Sequence, residues 1–305
     1  MNMAEPIPFR FTGLRGTLKR DEPMARHVSW RAGGKAEWFY APADLADLAV
    51  FLKSLPFGEL VLFVGLGSNL LVRNGGFRGT VVLMHSAGLR PEMRAGKVYA
   101  QAGVAAPKVA RYAALHDLQG AEFLAGVPGT VGGALAMNAG CYGAETWDIV
   151  DSVETINRAG QTFVRRKPEF EIGYRHCQPA SLREEWFTGA TFTLEPGDGE
   201  ASRAKIKELL ARRIASQPLS LPNAGSVFRN PAEDHAARLI EDCGLKGLSR
   251  GGARVSEKHA NFIVNPEGLA LASDIEWLIQ DVQRKVLELK GVKLVPEVQI
   301  VGEYK

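Results

Sequence analysis

The sequence predicts an α+β protein. Three observations carry this. Short apolar strands alternate with glycine-rich turns up to about residue 195, the composition shifts after EPGDGE (195–200), and longer helical patterns follow, clearest from Ser273.

Along the chain, residues 1–23 carry mixed charge and prolines and read as a loose arm. The runs VLFVGLG (61–67), NLLV (69–72), TVVLMH (80–85) and VYAQAG (98–103) read as strands, being apolar and β-branched between turn residues. Residues 107–119 read as a helix, with proline in the first turn and Gly120 just past the end. VETINRAGQTFVRR (153–166) reads as a hairpin centred on Ala159 and Gly160, and TGATFTLE (188–195) as a further strand. A basic helical stretch over 201–216 and a helix near 234–242 precede a strand, NFIVN (261–265). In the helix from Ser273, Ile275, Leu278, Ile279, Val282 and Val286 share one face, Ser273 and Glu276 read as a capping box, and Lys290-Gly291 closes the end. VKLVPEVQIVG (292–302) reads as a last strand interrupted by Pro296.

A chain of 305 residues accommodates two or three domains. The expected division is an arm at 1–23, a body at 24–195 in two lobes (about 24–90 and 91–195), and a C-terminal body at 196–305. The net charge is +3 with no long Lys/Arg run, which suits an anionic ligand and argues against a nucleic-acid partner. Three widely spaced cysteines, Cys141, Cys177 and Cys243, form no CxxC pair; they point to a reducing compartment and away from a zinc site, and no metal centre is expected. The opening MNMAEPIPFRFTG lacks the apolar core of a signal peptide, and the longest apolar run (60–66) is far short of the ~20 residues a membrane span needs. A cytoplasmic protein without membrane insertion is therefore expected.

Two stretches combine many glycines with almost no charge. AGVPGTVGGALAMNAGCYG (125–143) holds six glycines and no Asp, Glu, Lys or Arg, and GLGSNLLV (65–72) follows an apolar strand. Glycines allow positive φ and close backbone approach, and successive inward amides make an anion nest. A dinucleotide fingerprint requires a third glycine where Leu70 stands, and neither stretch carries the Gly-Lys-Ser/Thr of a triphosphate loop. Tight turns in a β-rich domain explain either cluster alone; the pair points to a long, phosphate-bearing cofactor held by backbone.

GLGSNLLVRNGGFRG (65–79) and AGVPGTVGGALAMNAGCYG (125–143) resemble the two FAD-binding segments of the UDP-N-acetylenolpyruvoylglucosamine reductase family. WRAGGKAE (30–37), GYRHC (173–177), QPLSLPNAGSVFRNP (217–231), GLKGLSRGGARVSEKHANFIVN (244–265) and LVPEVQIVG (294–302) continue the resemblance in order. The resemblance implies a vanillyl-alcohol-oxidase-type, two-part FAD-binding fold with a smaller C-terminal α/β substrate domain whose last strand returns near the flavin. It also implies non-covalent FAD, NADPH as hydride donor, and a UDP-sugar enolpyruvyl ether as substrate, reduced for peptidoglycan synthesis and hence cell shape and division. A monomer or weak dimer is expected.

Carried over residue by residue, the resemblance implies FAD contacts from Gly65, Gly67, Ser68, Asn69 and Leu70, and from Ala125, Gly126, Pro128, Gly129, Thr130, Gly132, Gly133, Asn138, Ala139 and Gly140. It implies Arg175 as the grip on a developing carboxylate charge, Ser226 as proton donor and Glu297 as the catalytic carboxylate. Tyr174, Arg213, Arg229 and Asn230 are the implied substrate contacts. A planar, permanently charged guanidinium suits carboxylate recognition, and a carboxyl in an apolar strand acquires a raised pKa unless it is paired. Taken singly, Arg175 reads equally as a surface arginine in a turn, Ser226 as a turn serine and Glu297 as a salt-bridged edge residue. Ser256, Lys258, His259 and Asn261 read as structural or as the substrate's edge.

Two features depart from the family pattern. Cys177 stands where the family's Tyr-Arg-x-Ser has serine, and cysteine is the weaker donor. Only a dozen residues separate Arg175 from the strand at 188, so the tyrosine-bearing loop of longer relatives is missing and closure over the substrate falls to other residues. A same-fold oxidase and a non-catalytic nucleotide-binding module are the competing readings.

Overall fold

A computed structural model of the protein describes Phe11 and residues 13–305. The expected arm lies partly outside the described residues; within them, Thr17–Pro23 is no loose arm but the edge strand β1, antiparallel to β2 (Lys35–Ala41). Leu18 and Glu22 face inward there, and the pairing satisfies backbone groups that a free arm would leave to water.

After β2 comes α1 (Leu45–Ser54), started by Asp44, whose carboxylate accepts the Asp47 N–H at 2.8 Å, and stopped at Leu55 before Pro56. Its Leu48, Phe51 and Leu52 are buried. Then follow β3 (Val61–Val64), β4 (Leu70–Val72) and β5 (Phe77–Leu83). The first sheet runs β1-β2-β5-β3, parallel beyond the first pair, and its mostly apolar strands bury one face under α1.

The second lobe holds β6 (Glu92–Arg94), β7 (Lys97–Gln101), α2 (Ala106–Leu115), β8 (Leu118–Gln119), α3 (Val131–Ala136), β9 (Gly140–Cys141), β10 (Ala144–Glu145), β11 (Val150–Asn157), β12 (Thr162–Arg165), β13 (Phe170–Gly173), β14 (His176–Pro179), β15 (Glu185–Phe192) and β16 (Glu195–Pro196). Its main sheet is antiparallel, in the order β12-β11-β15-β7-β6. The β11–β12 hairpin turns where expected, with Gly160 at φ +70° donating to the Asn157 carbonyl at 2.9 Å. The helix expected over 107–119 stops at Leu115, because Leu118 and Gln119 are drawn into pairing with β16.

α4 (Gly199–Ser216) starts on the Asp198 carboxylate. It packs on the second lobe: Ile206 lies in that lobe's core, and Ser202 Oγ donates to Glu122 at 2.8 Å. The boundary expected near 196 therefore falls too early; the third body begins after this helix. It comprises α5 (Ala236–Asp242), β17 (Ser249–Arg250), β18 (Ala253–Val255), β19 (Ile263–Val264), α6 (Ala272–Lys290) and β20 (Gln299–Val301).

α6 buries the expected apolar face and ends at Gly291 in the left-handed conformation, φ +68°. The expected Ser273–Glu276 capping box does not form. Asp274 accepts the Leu271 N–H at 3.0 Å, Ser273 Oγ accepts from Asn74 at 2.8 Å, and Glu276 is taken by Arg73. The run 292–302 is not one strand either: Pro296 bridges Phe228, and only β20 pairs, in parallel with β4.

The third body is locked to the first lobe. Trp30, Ala32 and Leu71 sit in its core, and Trp30 Nε1 donates to the Ile263 carbonyl at 2.7 Å. Arg73 grips Glu276 through Nε (3.0 Å) and a second nitrogen (2.8 Å), donates to the Gly302 carbonyl, and lies 4.1 Å from the Tyr304 ring centroid.

Candidate active site

The loop between β3 and β4 and the segment leading into α3 meet face to face. Gly65 is required because a Cβ there would lie 2.3 Å from Thr130 Oγ1, and Gly129 comes within 3.3 Å of Ser68 Oγ by the same construction. Gly67 has φ +59°, and a Cβ would lie 2.1 Å from the His27 carbonyl oxygen. Much of the bare backbone is thus demanded by protein packed on protein. At Gly133, by contrast, a Cβ would meet only Thr130 Oγ1, in ordinary contact at 3.8 Å. Among the described residues, the amides of Leu66, Gly67, Ser68 and Asn69 find no protein acceptor. Leu66 is exposed, but Gly67 is buried and Ser68 and Asn69 half-buried, and successive amides left for an outside partner are the property of an anion nest.

The two segments floor a cleft of about 430 Å³ whose other walls come from the β13–β14 turn, the end of α4, the 224–230 segment and the stretch before β20. A second cavity of about 370 Å³ shares Val64, Gly65, Thr130 and Gly133 as walls and is lined further by Cys177, Trp186 and Phe187. Among the described residues, three charged side chains line the first cleft: Arg175, Arg213 and Glu297.

Arg175 occupies the two-residue turn between Gly173 and His176 at φ +54°, a costly conformation for a residue with a Cβ. Its Nε donates to Glu297 Oε1 at 2.9 Å and a terminal nitrogen donates to the Gly140 carbonyl at 2.8 Å. Its guanidinium lies 4.9 Å from the centre of the exposed Tyr174 ring. Glu297 is fixed by its backbone: its N–H donates to the Val227 carbonyl at 2.7 Å, and Asn69 Nδ2 donates to its carbonyl at 3.1 Å. Burial pushes its carboxyl above the usual carboxylate range, against the lowering pull of Arg175 and Arg229.

Ser226 lines the same cleft, and no described residue hydrogen-bonds its hydroxyl. Asn261 holds the strand beside it, accepting the Phe228 N–H at 2.9 Å and donating to the Phe228 carbonyl at 2.8 Å. That is a structural role for Asn261. Ser256 caps the turn before it, accepting from the N–H of Lys258 at 3.1 Å, and burial lowers the His259 imidazole below its ordinary value.

Arg213, at the end of α4, donates to Gln217 at 2.7 Å and has no carboxylate partner; burial disfavours its charge. An anion entering the cleft would relieve that cost.

Of the residues expected to line the site, Gly65, Gly67, Ser68, Asn69, Leu70, Gly126, Pro128, Gly129, Thr130, Gly133, Ala139, Gly140, Tyr174, Arg213 and Asn230 line the first cleft, and Gly132 lines the second cavity. Three do not. Ala125 is packed in the second lobe's core. Asn138 is 2% exposed and spends its side chain on protein partners. Arg229 lies behind the wall, its Nε buried without a partner. The sequence reading also passed over Gln217, Phe262 and Tyr142 as walls of the first cleft. Gln217 opens the motif at 217–231 and stands four residues from Arg213, a spacing that puts the two side chains together at a helix end.

Cys177 faces the second lobe's core rather than the charged end of the cleft, and burial pushes its thiol up to about 11.

Residues 36–164 match the FAD binding domain family, and residues 217–301 match the UDP-N-acetylenolpyruvoylglucosamine reductase C-terminal domain. The UDP-N-acetylenolpyruvoylglucosamine reductases of Nitrosospira multiformis and Thiobacillus denitrificans are each 57% identical to this chain, over 99% and 95% of it and 94% of each relative. The crystal structure of UDP-N-acetylenolpyruvylglucosamine reductase from Thermus caldophilus aligns with a TM-score of 0.78 at 29% identity, covering 94% of this chain and 99% of that one. The α+β, two-part FAD-binding architecture follows from these matches together with the two lobes described above.

Proposed function

The chain belongs to the UDP-N-acetylenolpyruvoylglucosamine reductase family, and from that premise we propose that it reduces UDP-N-acetylglucosamine enolpyruvate to UDP-N-acetylmuramate with NADPH, supplying peptidoglycan synthesis. The observation that carries the proposal is the Arg175–Glu297 pair facing the same cleft as the unpartnered Ser226 hydroxyl, above a floor of uncharged glycine segments.

FAD fits the residues present. The amides at 66–69 without a protein acceptor and the uncrowded backbone at Gly133 suit its phosphates, and the second cavity, walled by Trp186 and Phe187, gives an aromatic end for the rest of the cofactor. When bound, FAD supplies a hydride that originates on NADPH and reaches C3 of the enolpyruvyl group. Negative charge then gathers at C2 and spreads into the substrate carboxylate. Arg175 answers that charge with a fixed guanidinium, already oriented by the Gly140 carbonyl and Glu297. Ser226 gives its proton to C2. Glu297, its carboxyl held above the usual range by burial, shares a proton with the enolic oxygen side of the intermediate. Arg213, lacking an acidic partner, meets the diphosphate of the UDP moiety, with Tyr174 and Asn230 at the cleft's rim.

Among the described residues no helix is long and apolar enough to cross a membrane. Action in the cytoplasm, as a monomer or weak dimer, is part of the same proposal.

The test is anaerobic mixing of the FAD-loaded protein with NADPH, followed by the enolpyruvyl substrate. Bleaching of the flavin by NADPH and return of its colour on adding substrate are expected. A flavin reoxidised by oxygen but not by the enolpyruvyl substrate would point to an oxidase and end the proposal.

A further inference from the structure

Asn138 sits in the glycine-rich segment yet turns away from the cleft. Its backbone has φ +41°, a region that asparagine tolerates better than most residues. Its side chain is fully engaged: Nδ2 donates to Glu145 Oε2 at 2.7 Å and to the Gly173 carbonyl at 3.1 Å, while Oδ1 accepts the Trp147 N–H at 3.1 Å. These bonds use both donors and the acceptor of the amide, inside the protein. The residue it reaches farthest along the chain, Gly173, ends β13 and leads directly into Tyr174 and Arg175.

We propose that Asn138 is a positioning residue for Arg175. Arg175 has two anchors besides Glu297, and both are backbone carbonyls of the strand entry that Asn138 begins: Gly140 at 2.8 Å and Asn138 itself at 3.5 Å. The Asn138 amide ties that same strand entry to the base of the arginine's turn. One side chain thereby sets both the origin of the Arg175 side chain and the carbonyls that its guanidinium lies against. The Glu145 contact holds the amide's orientation, since a flipped amide would face the carboxylate with its oxygen. Without this tie no side chain from the 138–145 segment holds the base of the turn, and the strained φ of Arg175 is freer to relax. An arginine displaced by about 1 Å from its working position costs on the order of 100-fold in rate.

The inference rests on the reductase reading for its kinetic arm and on geometry alone for its structural arm. Asn138→Gly keeps the positive-φ backbone and deletes the three side-chain bonds; Asn138→Asp keeps the acceptor toward Trp147 and deletes the two donors. In FAD-loaded protein, both variants are expected to slow reoxidation by the enolpyruvyl substrate about 10- to 100-fold, with reduction by NADPH within about threefold of the parent. In an Arg175→Lys background, Asn138→Gly is expected to add less than about threefold, because the group it positions is already altered. A purely structural asparagine predicts the opposite: both half-reactions slowed, FAD released, and the two substitutions multiplying. A crystal structure of the Asn138→Gly FAD complex reads the arginine directly. A guanidinium shifted off the Gly140 carbonyl supports the proposal, and one left in place overturns it. Should the parent protein fail to use the enolpyruvyl substrate, the functional reading falls and the crystallographic arm still decides the positioning role.

Discussion

At the scale of single residues, the site works by denying partners. Ser226 has a hydroxyl without a protein acceptor, Arg213 has no carboxylate, and Glu297 is buried beyond what its arginine compensates. For Arg213 and Glu297 burial is a cost that a bound anion or a shared proton offsets, while the half-buried Ser226 hydroxyl is left for the substrate. Ser226→Ala is therefore expected to leave flavin reduction by NADPH within about twofold while slowing the substrate half-reaction by ~10²- to 10⁴-fold. Stopped-flow measurement of each half-reaction checks this, and equal slowing of the two takes Ser226 out of proton transfer. Arg175, Ser226 and Glu297 were nominated by the resemblance of the motifs around them, since each residue alone reads as a turn or edge side chain. That resemblance was not enough for Asn138 or Ala125. An asparagine beside glycines looks the same in sequence whether its amide faces a ligand or a neighbouring strand, and only burial separates the two.

At the scale of elements, period and punctuation made the longer pieces legible. The α6 face and the turn at Gly160 follow from 3.6-residue spacing and from a glycine at positive φ. Where the reading failed, a tertiary partner had outbid a local one: Ser273 and Glu276 were claimed by Asn74 and Arg73, and Leu118 and Gln119 by β16. The two glycine segments carry a prediction at this scale. Gly67→Ala forces a Cβ toward the His27 carbonyl in a left-handed backbone and is expected to destabilise the apoprotein by more than about 2 kcal/mol. Gly133→Ala adds a Cβ in ordinary contact at a position lining the cleft and is expected not to destabilise the apoprotein while weakening FAD at least tenfold. Urea unfolding and FAD titration of both variants decide it; identical behaviour would mean that the segments do not divide the work in this way.

At the scale of the whole molecule, the sequence placed a boundary where composition changes, near 196, but helix α4 packs backward onto the second lobe, and no composition signal reports which neighbour a helix chooses. Among the contacts that join the third body to the first lobe is the Arg73–Glu276 clasp, with the guanidinium partly covered and the carboxylate nearly buried. Arg73→Ala and Glu276→Gln are each expected to cost about 2–3 kcal/mol, below the range for a fully buried pair because Arg73 keeps some solvent. The double variant should cost little more than either one, and additive losses in denaturant midpoints would show that the clasp is not a unit. The pairing of β20 with β4 has a kinetic corollary. Asn69 and Glu297 are tied across 228 positions of sequence, so the acid reaches the cleft only after nearly the whole polypeptide has been made and has doubled back. A nascent chain halted before that return holds the glycine loops but no carboxyl opposite Arg175, and it offers the Leu70–Val72 edge to any passing strand. The topology thus makes the closing of β20 onto β4 the step that both completes the site and covers that edge.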